Sequence, residues 1–170
     1  MIELPIITPS PEEIRAASTR IAGKVHRTPL LSCESINRML DSIFYFKCEN
    51  FQKVGAFKAR GATNAVFSMT PGDLQKGVCT HSSGNHAQAL SRAAALAGTQ
   101  AYIVMPSNSS RVKVEAVKGY GGIVTFCEPN LASRESTLAE IQAQTGAIEI
   151  HPYNNLQIIA GQATAAMEMI

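Results

Sequence analysis

The chain has 170 residues, a formal net charge of +2 and a 45% share of hydrophobic residues. That length suits one ordinary domain or two small lobes of a larger enzyme, and that apolar share excludes disorder. The 15 Lys and Arg are scattered among 13 Asp and Glu, which leaves no electrostatic footprint for nucleic acid or an acidic membrane.

Met1 to Ser10 shows no basic leader followed by an apolar core. No apolar run reaches the roughly 18 residues that a spanning helix needs. Cys33, Cys48, Cys79 and Cys127 lie far apart, with no CxxC pair and no Cys/His ligand spacing. Cys48 and Cys79 fall in apolar strand-like runs, where a free thiol serves as a small core residue. These features predict a soluble, cytoplasmic protein with reduced thiols and no membrane or nucleic-acid partner.

The first helix is expected to start at Ser10-Pro11-Glu12-Glu13 and to end at Gly23. Ser10 caps it, Pro11 takes the first turn, and the two acids meet the positive end of the dipole. Thr28-Pro29 breaks the chain into an extended piece, and Glu34 to Leu40 reads as a short helix. The aromatic run from Ile43 to Cys48 reads as a strand, and Glu49 to Gly55 as a polar loop. Lys58 to Met69 has helical spacing through Ala62, Ala65 and Val66, with Pro71-Gly72 expected to stop it.

From there short apolar runs alternate with helical stretches. Strands are expected at Gly77 to Thr80, Ala101 to Met105, Ile123 to Cys127 and Ala147 to Ile150. Helices are expected at Asn85 to Ala97, Ser110 to Lys118 and Ala132 to Gln144, with a last one starting near Asn155. This alternation predicts an α/β fold: a parallel sheet with helices on both faces and right-handed crossovers. Ile158 to Ile170 is apolar and alanine-rich, and no glycine, proline or basic turn marks its end. Such a helix needs a partner surface that little of this sequence remains to provide, so a truncated chain is expected.

Two clusters carry chemistry. The first is Gly55-Ala56-Phe57-Lys58-Ala59-Arg60-Gly61-Ala62. A lysine must lose its proton to attack an aldehyde; burial beside Phe57, the cation of Arg60 and a place at a helix start would each favour that. Gly55 and Gly61 would let backbone approach a flat ring. The alternative is a solvated Lys-x-Arg pair on a helix surface. The second cluster, Thr80-His81-Ser82-Ser83-Gly84-Asn85-His86-Ala87-Gln88-Ala89, joins a strand end to a helix start. Hydroxyls, a glycine and free N–H groups there suit an anion such as a carboxylate. The alternative is that Ser83 or Asn85 only caps the helix. His81 and His86 have no carboxylate or cysteine at ligand spacing, which argues against a metal. A nicotinamide-binding module is disfavoured, because no GxGxxG turn follows a strand.

Both clusters, in this order, resemble the fold-type II pyridoxal-phosphate family of serine racemases and serine/threonine dehydratases. The likeness extends to Arg27-Thr28-Pro29-Leu30, Cys48-Glu49-Asn50-Phe51-Gln52-Lys53, Tyr120-Gly121-Gly122, Glu149-Ile150-His151-Pro152 and Ile159-Ala160-Gly161-Gln162. It implies a two-lobe fold like the tryptophan synthase β-chain. Residues 1–76 would belong to the large pyridoxal-phosphate lobe and 77–154 to the small mobile lobe, with 155–170 starting the return.

The resemblance implies that Lys58 forms the Schiff base with pyridoxal 5′-phosphate and acts as the base on one face. Phe57 would pack by the ring, and Asn85 would bond its phenolic oxygen. Ser83 would be the acid/base on the far face, while Ser82, Gly84 and His86 would help receive the substrate carboxylate. Serine at 83 is similar to the racemase branch, where plain threonine dehydratases have alanine; hydroxyaspartate dehydratases resemble this branch too. Ala56 departs from the commoner serine. The implied activity is racemisation or β-elimination of water at a hydroxy amino acid such as L-serine. An ATP effector against Lys53, Gln88 and Tyr120 is also implied, with a loop charge and a helix-end aromatic as the alternatives for Lys53 and Tyr120. The family's enzymes are longer. Their glycine-rich phosphate loop and acidic Mg2+ ligands would lie past residue 170. Relatives are commonly dimers, so a homo-oligomer, or association with a full-length relative by a catalytically silent chain, is the partner expectation.

Overall fold

Ser10 opens the first helix, α1 (Pro11–Ile21), through a reciprocal capping box: its hydroxyl accepts from Glu13 N–H at 3.2 Å, and Glu13 Oε2 accepts from Ser10 N–H at 2.7 Å. This computed structural model describes residues 8–170. Residues 1–7, most of the stretch read as lacking a leader, lie outside the described residues.

Strand β1 (Leu30–Ser32), helix α2 (Glu34–Leu40) and strand β2 (Tyr45–Lys47) follow. The expected strand at Ile43 to Cys48 is therefore only its central part. It pairs antiparallel with the extended piece after Pro29, Leu30 opposite Lys47 and Ser32 opposite Tyr45. The expected polar loop is two 3₁₀ turns, Glu49–Phe51 and Lys53–Gly55. Cys48 is half-buried rather than a core residue, because the β1–β2 ribbon has little packed against it.

Helix α3 (Lys58–Phe67) ends before Pro71, and Pro71 does not terminate anything. It takes the first turn of a further helix, α4 (Pro71–Lys76), capped by Thr70, whose Oγ1 accepts from Asp73 N–H at 3.2 Å. The residues that read as a stop are a start, since proline is tolerated at both places.

Beyond α4 the alternation holds: β3 (Val78–His81), α5 (Asn85–Ala97), β4 (Ala101–Pro106), α6 (Arg111–Gly119), β5 (Ile123–Cys127), α7 (Leu131–Thr145), β6 (Ile148–Glu149) and α8 (Leu156–Met167). Strands β3 to β6 form one parallel sheet in the order β5-β4-β3-β6. Side chains alternate across it as a pleated strand requires. Val78, Ile103 and Met105 join the core with Leu90 and Ala93 of α5 and Val117 of α6. Cys79 and Val104 face Leu138 and Ile141 of α7. Helices cover both faces.

The last helix finds a partner for one face within the chain, while Met167, Met169 and Ile170 stay exposed as the sequence reading expected. It packs on α3 and α1. The contact with α3 is close because glycines meet: a Cβ on Gly161 would lie 2.6 Å from Gly61 Cα and 2.8 Å from Arg60 O. Both clashing atoms are backbone, which cannot swing aside. Substituting Gly161→Ala is therefore expected to lower stability by about 1–3 kcal/mol. A urea titration checks this; an unchanged midpoint would mean that the two helices can part freely. No helix among the described residues is long and apolar enough to cross a membrane.

Candidate active site

The chain leaves β3 for β4 and β5 on one side, then returns to place β6 on the other side of β3. Open parallel sheets bind ligands at such a switch point, outside the carboxyl ends of the strands. The segments Ser82 to Asn85 and His151 to Asn155 occupy those two ends.

Lys58 is the first residue of α3. Its Nζ donates to the carbonyl oxygen of Pro152 at 2.7 Å and lies 5.3 Å from the ring centroid of Phe57. Burial pushes its pKa below the ordinary lysine value, since loss of hydration penalises the ammonium form. The helix start adds a push in the same direction. A solvated surface lysine is excluded by this geometry.

Arg60 does not act on Lys58 as expected. Its guanidinium is fully buried and turned to the other side of α3. Nε and Nη2 donate to the two oxygens of Glu49 at 2.9 and 2.7 Å. Nη1 and Nη2 donate to the two oxygens of Glu168 at 2.7 and 3.0 Å. Lys47 bonds Glu168 and also the carbonyl of Thr28, and Thr28 Oγ1 donates to Glu49. Two cations and two carboxylates close on one another, so the charge of Arg60 is matched by Glu49 and Glu168 rather than directed at Lys58. Burial acts to raise the pKa of Glu49 and Glu168, but the Arg60 hydrogen bonds and nearby cations outweigh it and hold both below the usual carboxylate range. Gly61, expected against a flat ring, meets Gln162 and Ile158 of α8 instead.

The serine turn sits at the end of β3. Ser82 N–H donates to Val104 O at 3.0 Å, and Ser82 Oγ accepts from Gly84 N–H at 3.3 Å. Gly84 is the N-cap of α5, and no side chain caps this helix. The reading of Ser83 or Asn85 as a plain cap is thus overturned. The N–H groups of Asn85 and His86 have no intrahelical acceptor. Ser83 is half-buried and Asn85 exposed.

The His86 side chain turns away from the serine turn. The residue is only 3% exposed, and its ring Nε2 bonds the carbonyl of Ile150 at 2.9 Å. Because a carbonyl can only accept, Nε2 carries the proton. Burial pushes the pKa down to about 4, with the Ile150 bond opposing it and the charges of Lys58, His151 and His81 assisting it. The neutral ring is an anchor for the strand end, and only its backbone N–H is left to meet a carboxylate.

Lys58 and His86 therefore converge on one short connection, through the carbonyls of Pro152 and Ile150. This is how the fold brings the two sequence clusters together. Among the described residues no hydrogen bond joins Lys58 directly to Ser82, Ser83, Gly84 or Asn85. The His151–Pro152 connection, to which sequence reasoning assigned no role, completes the site; its signal was the Glu149-Ile150-His151-Pro152 segment of the family resemblance.

The three residues read as an ATP site all lie on elements that pack on α5. Lys53 is in the second 3₁₀ turn, Gln88 on α5 itself, and Tyr120 caps the end of α6. Tyr120 lines a groove of about 480 Å³ with Arg92 and Leu96. Among the described residues no group of three His, Cys, Asp or Glu could hold a metal ion.

Residues 21–170 match the family model for pyridoxal-phosphate dependent enzymes. The chain belongs to that family. It is 48% identical over 162 residues to the beta-hydroxyaspartate dehydratase of Paracoccus denitrificans, covering 95% of this chain and 51% of the relative. It is 49% identical over 157 residues to the serine racemase of Oryza sativa subsp. indica, covering 92% of this chain and 46% of the relative. The structure of maize serine racemase superposes with a TM-score of 0.94 at 47% identity, over 96% of this chain and 50% of that one. The chain spans about half the length of the curated relatives it matches.

As a pyridoxal-phosphate dependent enzyme chain, it has residues that fit the aldehyde and ring end of that cofactor. Lys58 offers a desolvated amine, and Phe57 an apolar ring surface that is 44% exposed beside it. Gly84 leaves open space where a side chain would stand. No Gly-Gly-Gly run occurs in the chain to cradle the phosphate.

Proposed function

We propose that this chain carries the lysine-bearing part of an enzyme acting at the α-carbon of L-serine or a similar hydroxy amino acid. The observation that carries the reading is a desolvated Lys58 amine held at the sheet's switch point, beside the free N–H groups that start α5. When bound, pyridoxal phosphate supplies an aldehyde for that amine and a conjugated ring that takes up the electron pair left at the α-carbon. Phe57 and Asn85 flank and orient the ring. The N–H groups of Asn85 and His86, with the Ser82 hydroxyl that Gly84 N–H holds in place, orient the substrate carboxylate.

Lys58 as a neutral amine removes the α-proton. Its ammonium form can return that proton to the same face or assist departure of the β-hydroxyl as water. Elimination leaves an enamine, which hydrolyses to a keto acid and ammonia. Ser83, on the opposite face, delivers a proton for inversion, so serine at this position favours racemisation over elimination alone. Lobe boundaries at residues 76 and 154 accompany this reading, as do a cytoplasmic location, ATP against Lys53, Gln88 and Tyr120, and Mg2+ as a second effector.

Two further readings have support. The 48% identity to a beta-hydroxyaspartate dehydratase favours an ammonia-lyase acting on 3-hydroxyaspartate, serine or threonine. Exposed Leu31, Ile43, Tyr45 and Phe46 on the β1–β2 ribbon favour association, as a homodimer or by a silent chain with a full-length relative.

Solvent-deuterium exchange followed by NMR separates these. In the presence of the cofactor, the native chain is expected to exchange the α-proton of L-serine and release some D-serine. S83A is expected to retain exchange and lose most of the D-isomer. Exchange of 3-hydroxyaspartate alone would select the lyase reading, and no exchange of any substrate would leave association.

A further inference from the structure

The β6–α8 connection is held by one imidazole. His151 Nδ1 accepts from the backbone N–H of Asn154 at 2.9 Å and of Tyr153 at 3.3 Å. Its ring also packs edge-on against Tyr153, with centroids 4.4 Å apart. Below this loop α8 is secured separately, because Asn155 Oδ1 accepts from Ile158 N–H at 3.1 Å. The residue between His151 and Tyr153 is Pro152, whose carbonyl receives the Lys58 amine at 2.7 Å. Proline has no N–H and a restricted φ, so the direction of that carbonyl depends on how the turn is closed. What closes the turn is the pair of bonds to His151 Nδ1.

We propose that His151 is a positioning residue: its Nδ1 lone pair closes the 151–154 turn so that the Pro152 carbonyl holds the free amine of Lys58 at the site. The inference rests on the reading of Lys58 as the cofactor lysine, and it adds a part that neither motif contains. An amine released from covalent attachment has to be kept near the aldehyde rather than lost to water; a fixed carbonyl acceptor does this in either protonation state of the amine, since both forms donate. Two donors on Nδ1 also leave the imidazole proton on Nε2, so the closing role needs the neutral ring in one tautomer.

The arrangement distinguishes acceptor from ring. Asparagine offers an oxygen close to where Nδ1 stands and no ring, whereas phenylalanine offers the ring and no acceptor. The experiment treats native, H151N and H151F chains with pyridoxal phosphate, traps adducts with borohydride, and reads Lys58 and the exposed Lys76 by peptide mass. Native and H151N are expected to trap Lys58 at similar rates. H151F is expected to trap it about tenfold more slowly or worse, with Lys76 unchanged, as loss of orientation predicts. A second measurement needs no cofactor: trace acetylation should set Lys58 apart from Lys76 in native and H151N chains, and that distinction should vanish in H151F. Thermal unfolding midpoints report whether each variant folds, and H151N keeps the test decisive if H151F does not. Equal behaviour of H151F and native chains would overturn the proposal, as would an H151N chain that fails where H151F succeeds. Absence of a Lys58 adduct in the native chain, with its acetylation pattern intact, would instead remove the cofactor reading and leave His151 as the residue that orients the amine.

Discussion

The K58A chain is expected to leave the spectrum of free pyridoxal phosphate unchanged, whereas the native chain develops the visible band of a covalent lysine adduct. The loss should be complete, because Lys58 supplies the half-buried amine at the switch point. Other lysines differ in kind. Lys76 is exposed and paired with Asp73, and Lys118 lies 3.6 Å from Glu115 on the surface. Their amines stand on the surface beside a carboxylate, away from the switch point. Lys58 combines lowered basicity, a helix start and a place at the switch point. A K76A chain is the control and should show the native band. A band that survives in K58A would show that the proposed amine is the wrong one.

The second large effect is on stability, and it comes from Arg60. Removing the guanidinium in R60A leaves Glu49 and Glu168 facing each other in the interior, with only Lys47 to offset them. Breaking a buried pair by deleting one partner costs about 3–5 kcal/mol, which in a chain of this size lowers the unfolding midpoint on the order of 10 °C. E168Q, which keeps shape and one acceptor, should cost less and provides a folded comparison. The pH dependence carries its own sign. Both carboxylates have folded-state pKa values below the ordinary 4.5, so the folded chain binds their protons less readily than the unfolded chain does. Their stabilisation is complete above that ordinary value and is lost as pH falls toward and through the folded values. Native stability should therefore drop on acidification below about pH 4.5. In R60A the burial that opposes ionisation is left largely uncompensated, so the same acidification should cost less stability or restore some. Parallel melting curves for the two chains across that range would contradict the network.

This network has a functional side as well. Arg60 and Lys58 lie in one turn of α3, and α8 is gripped by Arg60 through Thr164 and Glu168. The same helix begins just after the connection that carries Pro152. The helix that ends at the ion network thus begins beside the carbonyl that receives the amine.

Much of the architecture was legible in the residue pattern. Ser10 and Glu13, Asn155, and Gly98 announce helix ends by chemistry that acts within a few residues. The apolar run at 101–105 is a strand buried on both faces of the parallel sheet, as such continuous hydrophobicity predicts, whereas the run at 123–127 forms the edge strand and leaves Ile123 and Phe126 exposed. Lys58 and the Ser82 to Asn85 turn were also recognisable, since a helix start and a strand-to-helix turn are local events.

What the pattern could not supply were the partners. Arg60 reads as a surface cation until Glu168 arrives from more than a hundred residues away. Gly61 reads as room for a ligand until α8 fills it, and the His86 ring reads as free until Ile150 takes it. Pro71 could stop one helix or start another, and the two outcomes share the same local geometry. Capping and periodicity depend on neighbours along the chain, so sequence alone determined most of the elements and singled out Lys58 as the candidate lysine. Burial, charge pairing and the direction of a carbonyl depend on neighbours across space, and only the packing of α3, α8 and the sheet decided those.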